Sequence, residues 1–251
     1  MGLYTYFKIN LSIVFISSCV YCTSDLFLKN CLRTVMLLIF LDYGVKGKPT
    51  LHLNQSDVQM DRTIIYFTII TLLDILLYEV YPFSTQSFRM FPIVLFGYEI
   101  IFDFFHYWIH RLCHEVPFLY KYVHKTHHRH RHPSLLSTFY MHPVDYLLTN
   151  VLPHKIAMYM VYQWITGYEY ELLLVYKMYI ELAGHSGVVS NAPSFPLFPT
   201  LFGFALQTVD HDLHHSRPDL AGNYSKRFRV WDRVFGTYIR DSEPCMSQCV
   251  G

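Results

Sequence analysis

The sequence predicts an all-α chain, an integral membrane helical bundle of about four spans with a cytosolic helical lobe. Three observations predict it. Of the 251 residues, 52% are hydrophobic and 18% aromatic while only 16% are charged, where a soluble domain carries about 25% charged residues. Apolar segments alternate with polar breaks, against a need for roughly 20 residues per span. Fifteen histidines, against 20 lysines and arginines together, crowd the most polar parts of the chain. Disorder is excluded, because so apolar a chain can offset its conformational entropy by burial. A net charge of +1 gives no global basic excess for nucleic acid.

The elements run in order from the N-terminus. Lys8 precedes the apolar stretch Ile9–Cys22, read as a signal anchor in preference to a cleaved signal. Residues 32–41 form a second, short apolar segment. The stretch 42–62, with Gly44, Gly47 and Pro49, is the clearest polar break. Thr63–Phe83 spans if Asp74 and Glu79 face protein. Phe91–Phe105 carries Glu99 and Asp103 and runs into histidines. Residues 110–145 are the most polar part of the chain. Tyr146–Tyr168, broken by Pro153, His154 and Lys155, and Leu172–Ile180 are apolar again. Pro193, Pro196 and Pro199 cut the next apolar stretch into turns, and from Asp210 the chain is polar and basic. Two basic clusters (Arg111, Lys121, Lys125, Arg129, Arg131; then Arg217, Lys226, Arg227, Arg229, Arg233, Arg240) read as a solvated cytoplasmic rim. Cys19 and Cys22 have CxxC spacing inside an apolar run and are read as buried thiols.

The histidines carry the chemistry. His106 and His110 form HxxxH, two rings stacked one helical turn apart. His124, His127 and His128 form HxxHH, and so do His211, His214 and His215. Positions i, i+3 and i+4 share a helical face, so each box can present several imidazoles to one point. Together they read as a metal site of two ions, because eight imidazoles exceed what one ion takes; iron, zinc and copper all suit imidazole. His185 stands alone. His52 and His154 read as ordinary residues, and His114, His130 and His132 as surface residues of the basic lobe. Val116, Pro117 and Phe118 come after His114-Glu115, which excludes the HExxH metalloprotease motif. A histidine-rich membrane metal-binding or transport protein is the competing reading. It needs ligands at mid-membrane on spanning helices, whereas these boxes sit among lysines and arginines.

These boxes, with His110-Arg111-Leu112, Met141-His142-Pro143, His185-Ser186-Gly187, Gly222-Asn223-Tyr224, Trp231-Asp232 and Phe235-Gly236-Thr237, resemble the fatty acid hydroxylase and sterol desaturase superfamily. The likeness runs from about 90 to 239. It divides the chain into N-terminal membrane segments (1–89), a fatty acid hydroxylase-like catalytic part (90–240) and a tail (241–251). The resemblance implies a multi-pass membrane enzyme, in the endoplasmic reticulum of a eukaryote, with its histidine site facing the cytosol. It implies an O2-dependent lipid hydroxylase or desaturase acting on a sterol, sphingolipid or fatty acyl substrate. It also implies two iron ions, for which zinc can substitute, and electrons from NAD(P)H through a b-type cytochrome and its reductase. His185 joins the ligands by this resemblance. Asp103, His142, Asn223 and Asp232 are candidates to orient the rings or line the site, with Glu181, Asp210 and Asp212 beside them. Each acid also reads as an ordinary helix or surface charge, and Asn223 as a turn cap. The aromatics Phe102, Phe104, Phe105, Tyr107, Trp108, Phe139 and Tyr140 suit an apolar substrate slot, or simple packing and interface anchoring.

Overall fold

Two of the longer helices start on side chains that satisfy their first backbone N–H groups. The Asp25 carboxylate accepts from Leu28 N at 2.8 Å and opens one helix. Thr166 and Glu169 form a reciprocal capping box that opens another. In this computed structural model, residues 3–46, 48, 50–51, 58–85, 91–188, 203–217 and 222–240 are described. His52, the three turn prolines after 190 and the tail 241–251 lie outside them.

The longer elements are α1 (Leu3–Tyr21), α2 (Leu26–Val45), α3 (Met60–Leu76) and α4 (Phe91–Glu115). Next, α5 (143–161) runs through Pro143–Tyr146, a π turn at Leu147–Val151, and Leu152–Val161. Then come α6 (Gly167–Gly184), α7 (Thr208–Ser216) and α8 (Val230–Val234). Between α4 and α5 the chain makes short pieces, including a π turn at Tyr120–His124 and 3-10 turns at His127–Arg129 and Leu135–Phe139. Among the described residues there is no strand, only two isolated bridges, so the all-α expectation holds.

Helix α4 is the axis of the fold. Its buried residues (Leu95, Tyr98, Phe102, His106, His110, Cys113) recur every three or four positions and make one continuous stripe. The upper half of that stripe packs on α5, and α1 and α2 pack on α6. Ile13, Ile16, Leu37, Tyr98, Phe102, Met158, Leu173 and Leu182 belong to one apolar core, so α1 and α2 share it with the helices that carry the site. The lower half of the stripe is polar and holds the histidines.

The expectation of about four spans meets a correction. Among the described residues, no helix is long and apolar enough to cross a membrane. The reason lies in the polar residues inside each apolar segment. Lys8, Asn10 and three serines interrupt α1. Lys29 and Arg33 of α2 reach Glu171 of α6 at 3.0 and 2.9 Å. Glu99 of α4 pairs with Arg227 at 2.7 Å. Even so, α1 to α3 expose large apolar side chains, among them Leu11 (73%), Ile39 (66%) and Leu76 (77%). The solvated basic rim is also corrected in part: Lys226 and Arg227 are buried, and both pair with Glu181.

Candidate metal centre

Two groups of histidines converge where the lower half of α4 meets α7. The first is His110, His114, His124, His128 and His214; the second is His127, His185, His211 and His215. In each group one nitrogen per ring lies within 4.8 Å of all the others. Four separate pieces of chain deliver them. His110 and His114 sit one turn apart on α4. The π turn ending at His124 and the 3-10 turn after it bring in His124, His127 and His128. His185 comes directly after the last residue of α6, and α7 carries His211, His214 and His215. A π turn widens the helix by one residue and rotates the chain beyond it. Here it contains His124 and stands just before His127 and His128. The groups are neighbours, with the His128 and His215 rings stacked at 4.5 Å between centroids.

Hydrogen bonds fix which nitrogen faces inward. His110 Nδ1 donates to the Tyr224 carbonyl at 2.8 Å, His214 Nδ1 to the Gly222 carbonyl at 2.8 Å, and His185 Nδ1 to the Glu181 carbonyl at 2.8 Å. His124 Nδ1 sits 2.9 Å from both oxygens of the Asp145 carboxylate. A neutral ring with its proton on Nδ1 turns an Nε2 lone pair to the other side. Those lone pairs meet: His110 Nε2 lies 3.1 Å from both His124 Nε2 and His214 Nε2; His128, whose Nδ1 has no partner, brings its Nε2 to 3.0 Å from His124 Nε2. In the second group His211 Nε2 is 3.0 Å from His185 Nε2. Lone pairs so opposed repel unless a cation lies between them. Nitrogens bound about 2.1 Å from one ion stand roughly 3.0–3.4 Å apart, so the spacing fits a metal. His114 Nε2 is buried without a hydrogen-bond partner, which leaves it open to a metal.

Burial and mutual repulsion keep the rings neutral. His110, His127, His128, His211 and His215 are held well below the ordinary histidine range, first by desolvation and then by neighbouring imidazoles. His185 is pushed down to about 4 and His214 to about 3, in both cases chiefly by burial. A neutral imidazole is the form that binds a metal.

The family model for fatty acid hydroxylases matches residues 94–237, more than half of the chain and all nine grouped histidines. The chain belongs to the fatty acid hydroxylase family. It is 36% identical over 147 residues to a fatty acid hydroxylase of Lecanicillium, covering 56% of this chain and 40% of that one. It is 31% identical over 153 residues to methylsterol monooxygenase 1 of Rattus norvegicus, covering 57% of this chain and 46% of that one. It is 27% identical over 154 residues to a very-long-chain aldehyde decarbonylase of Oryza sativa, covering 59% and 57%. The chain thus spans about half the length of the curated relatives it matches. No solved structure matches it.

Within this fatty acid hydroxylase fold, eight of the nine histidines singled out in the sequence fall into the two groups, and one does not. His106 is buried, with its Nδ1 donating to the Thr149 carbonyl at 2.7 Å as the grouped rings do to theirs and its ring stacked on Phe102, yet it lies outside both groups. His114, expected at the surface, sits in the first group. The segment reads HxxxHxxxH, and the converging pair is His110 with His114, one turn further along α4 than the expected pair. His130 is buried too, edge-on to Tyr140 at 4.7 Å, and outside both groups.

The outer candidates do different work. Asp232 accepts from Tyr224 N, Ser225 N and the Thr237 hydroxyl at 2.7–2.9 Å, and so clamps the loop whose carbonyl holds His110. Asn223, in the left-handed region at φ 54°, donates to the Asp210 and Ile239 carbonyls and accepts from Ile239 N. It ties down the same loop and touches no ring in the centre. Asp103 lies on no histidine. Its carboxylate accepts from the backbone N of Lys226, Arg227 and Phe228 at 2.7–3.0 Å. His142 caps α5 by accepting from Val144 N, apart from both groups. Asp210 pairs with Arg229, and Glu181 serves His185 through its carbonyl. The sequence reading missed Asp145. Its one local signal was its place in the first turn after Met141-His142-Pro143, where an acid also serves simply to cap the helix.

Proposed function

We propose that this chain is a membrane-bound, O2-dependent lipid hydroxylase or desaturase with two iron ions in its histidine groups. The observation that carries the proposal is the convergence of nine imidazoles, several of whose outward nitrogens are already committed as donors. His110, His114, His124, His128 and His214 would hold one ion, and His127, His185, His211 and His215 the other. Bound iron would supply the reduction of dioxygen that attack on an unactivated lipid C–H bond requires. The protein's part is positional. The carbonyls of Tyr224, Gly222 and Glu181 and the Asp145 carboxylate fix ring orientation and keep each proton on Nδ1. Burial of all but His114 keeps bulk water from the rings. Electrons come from NAD(P)H through a b-type cytochrome and its reductase. The substrate is a sterol, sphingolipid or fatty acyl chain, in keeping with the hydroxylase and methylsterol monooxygenase names of the relatives.

The exposed apolar faces of α1 to α3 support contact with a bilayer, in a eukaryote that of the endoplasmic reticulum, with the centre on its cytosolic side. Metal analysis and lipid profiling together test the proposal. Two irons per chain and an oxygen-dependent lipid product, lost in His127→Ala, are expected. Identical lipid profiles for wild type and His127→Ala would sink it, and zinc with vectorial ion flux would establish the transport reading instead.

A further inference from the structure

Away from the histidine groups, α2, α3, α5 and α6 enclose a second polar space, a cavity of about 90 Å³. Four cationic side chains line it, Lys29 and Arg33 of α2, Lys155 of α5 and Lys177 of α6. Three acids line it as well: Asp74, Glu79 and Glu171. Charges among apolar helices persist where they are paired or serve a ligand. The acids are all engaged. Glu171 takes Lys29 at 3.0 Å and Arg33 at 2.9 Å, Glu79 takes Lys155 at 2.8 Å, and Asp74 accepts the Tyr146 hydroxyl at 2.5 Å. Of the cations, Lys29, Lys155 and Arg33 share those pairs, and Arg33 Nη1 also donates to Asn30 Oδ1 at 2.9 Å. Arg33 is buried, and its Nε has no hydrogen-bond partner. Lys177 makes no ion pair among the described residues; its ammonium lies 5.6 Å from the centre of the Phe102 ring.

We propose that this cavity binds the oxyanion head of an anionic amphiphile, a carboxylate or a phosphate, with Arg33 and Lys177 as the donors. The lining of the cavity carries one cation more than it carries acids, and an arginine and a lysine on the wall of one small space suit an oxyanion. The tail has a path. A shallow groove shares Leu77, Val151 and Lys155 with the cavity and continues over Leu76, Leu147 and Leu152. Leu76 is 77% and Leu152 43% exposed, which leaves that path open at the surface. None of the nine grouped histidines lines the cavity, so the site stands or falls apart from the metal reading. It is nonetheless close to the centre through the chain, because Tyr146 in its wall is the next residue after Asp145, which holds His124.

The test is equilibrium binding to the full chain in non-ionic detergent, metal-loaded and metal-stripped, with four probes: oleate, lysophosphatidate, monooleoylglycerol and inorganic phosphate. Oleate or lysophosphatidate should saturate a single site at least about tenfold tighter than neutral monooleoylglycerol, in both metal states. Lys177→Met should abolish that preference and Lys177→Arg should keep it. Because a change at a packed helix can perturb folding, exposed Leu76→Asp is the second variant; it should weaken the amphiphiles alone. Equal binding of monooleoylglycerol, or a preference undiminished in Lys177→Met, overturns the proposal. Inorganic phosphate competing as well as the amphiphiles overturns the lipid source.

Discussion

In the five-histidine group, three rings are tied by Nδ1 to acceptors elsewhere in the fold: His110 to the Tyr224 carbonyl, His124 to Asp145, and His214 to the Gly222 carbonyl. In the four-histidine group, His185 is tied to the Glu181 carbonyl one turn back in its own helix. His211 and His215 owe their shared face to α7 itself. The first group is therefore assembled by tertiary contacts, above all by the 222–237 loop that Asp232 and Asn223 brace. The second has two of its four rings, His211 and His215, placed by α7 alone, with His127 brought in from the 3-10 turn and His185 from the end of α6. A centre so built should fail unevenly, with the first group the easier to disturb from a distance.

The largest expected effect comes from removing a ring outright. His214→Ala should release the ion of the first group and cut turnover by more than about a hundredfold, while metal analysis still finds the second ion. Loss of both ions together would break the comparison. Next is Gly222→Ala. A Cβ there would meet the Thr237 carbonyl oxygen at 2.3 Å and the Ile239 side chain at 2.7 Å, so the loop must move. Thermal denaturation should show a loss of about 1–3 kcal/mol, and the first ion should go before the second in a chelator titration. Asp145→Asn keeps the shape but weakens the acceptor that fixes the His124 proton. Metal affinity of the first group should fall by about 10- to 100-fold, with the second group unchanged.

Acid should act on both groups. His214 and His185 titrate near about 3 and about 4 when folded, against about 6.5 in an unfolded chain. The unfolded chain then takes up protons first as pH falls. The stability these rings contribute is whole above about pH 6.5 and is lost as pH drops toward 4 and below. Urea midpoints of the metal-stripped chain against pH check this, and a flat profile between 7 and 4 would contradict it. The smallest effect belongs to His106→Gln, which should leave both ions in place. Loss of an ion in that variant would return the α4 pair to His106 and His110.

The fold class and most of the centre were legible because they are local. An i, i+4 spacing keeps His211 and His215 on one face of α7, but His124, His127 and His128 sit on a π turn and a 3-10 turn, and each HxxHH box divides its rings between the two groups. His106, His110 and His114 mark the limit. They offer two overlapping pairs with identical spacing, and the spacing alone does not say which pair meets the other rings; in the structure it is His110 and His114. Asp103 obeys the same logic: one turn from His106 it looks like a ring partner, yet the backbone of 226–228 claims it. Asp145 was invisible because it meets His124 only after the chain has turned back through 21 residues. The apolar segments that fall short of a span share this cause. Charges that look isolated in an apolar run, such as Arg33 and Glu99, find partners far along the sequence.

The opposed lone pairs of His110 and His214 have a consequence for chain topology. These two residues are 104 positions apart, and their ring nitrogens stand 3.1 Å from each other. An ion between them would cross-link α4 to α7 and close a loop that takes in nearly half of the sequence. Such a tie forms only in the folded chain, so each tenfold excess of free ion over its dissociation constant adds about 1.4 kcal/mol to the stability of this junction. Chelation would then do more than remove a reagent. It would cut the link between the middle of the sequence and its end, and α7 with the 222–237 loop is the part of the molecule that should come loose first.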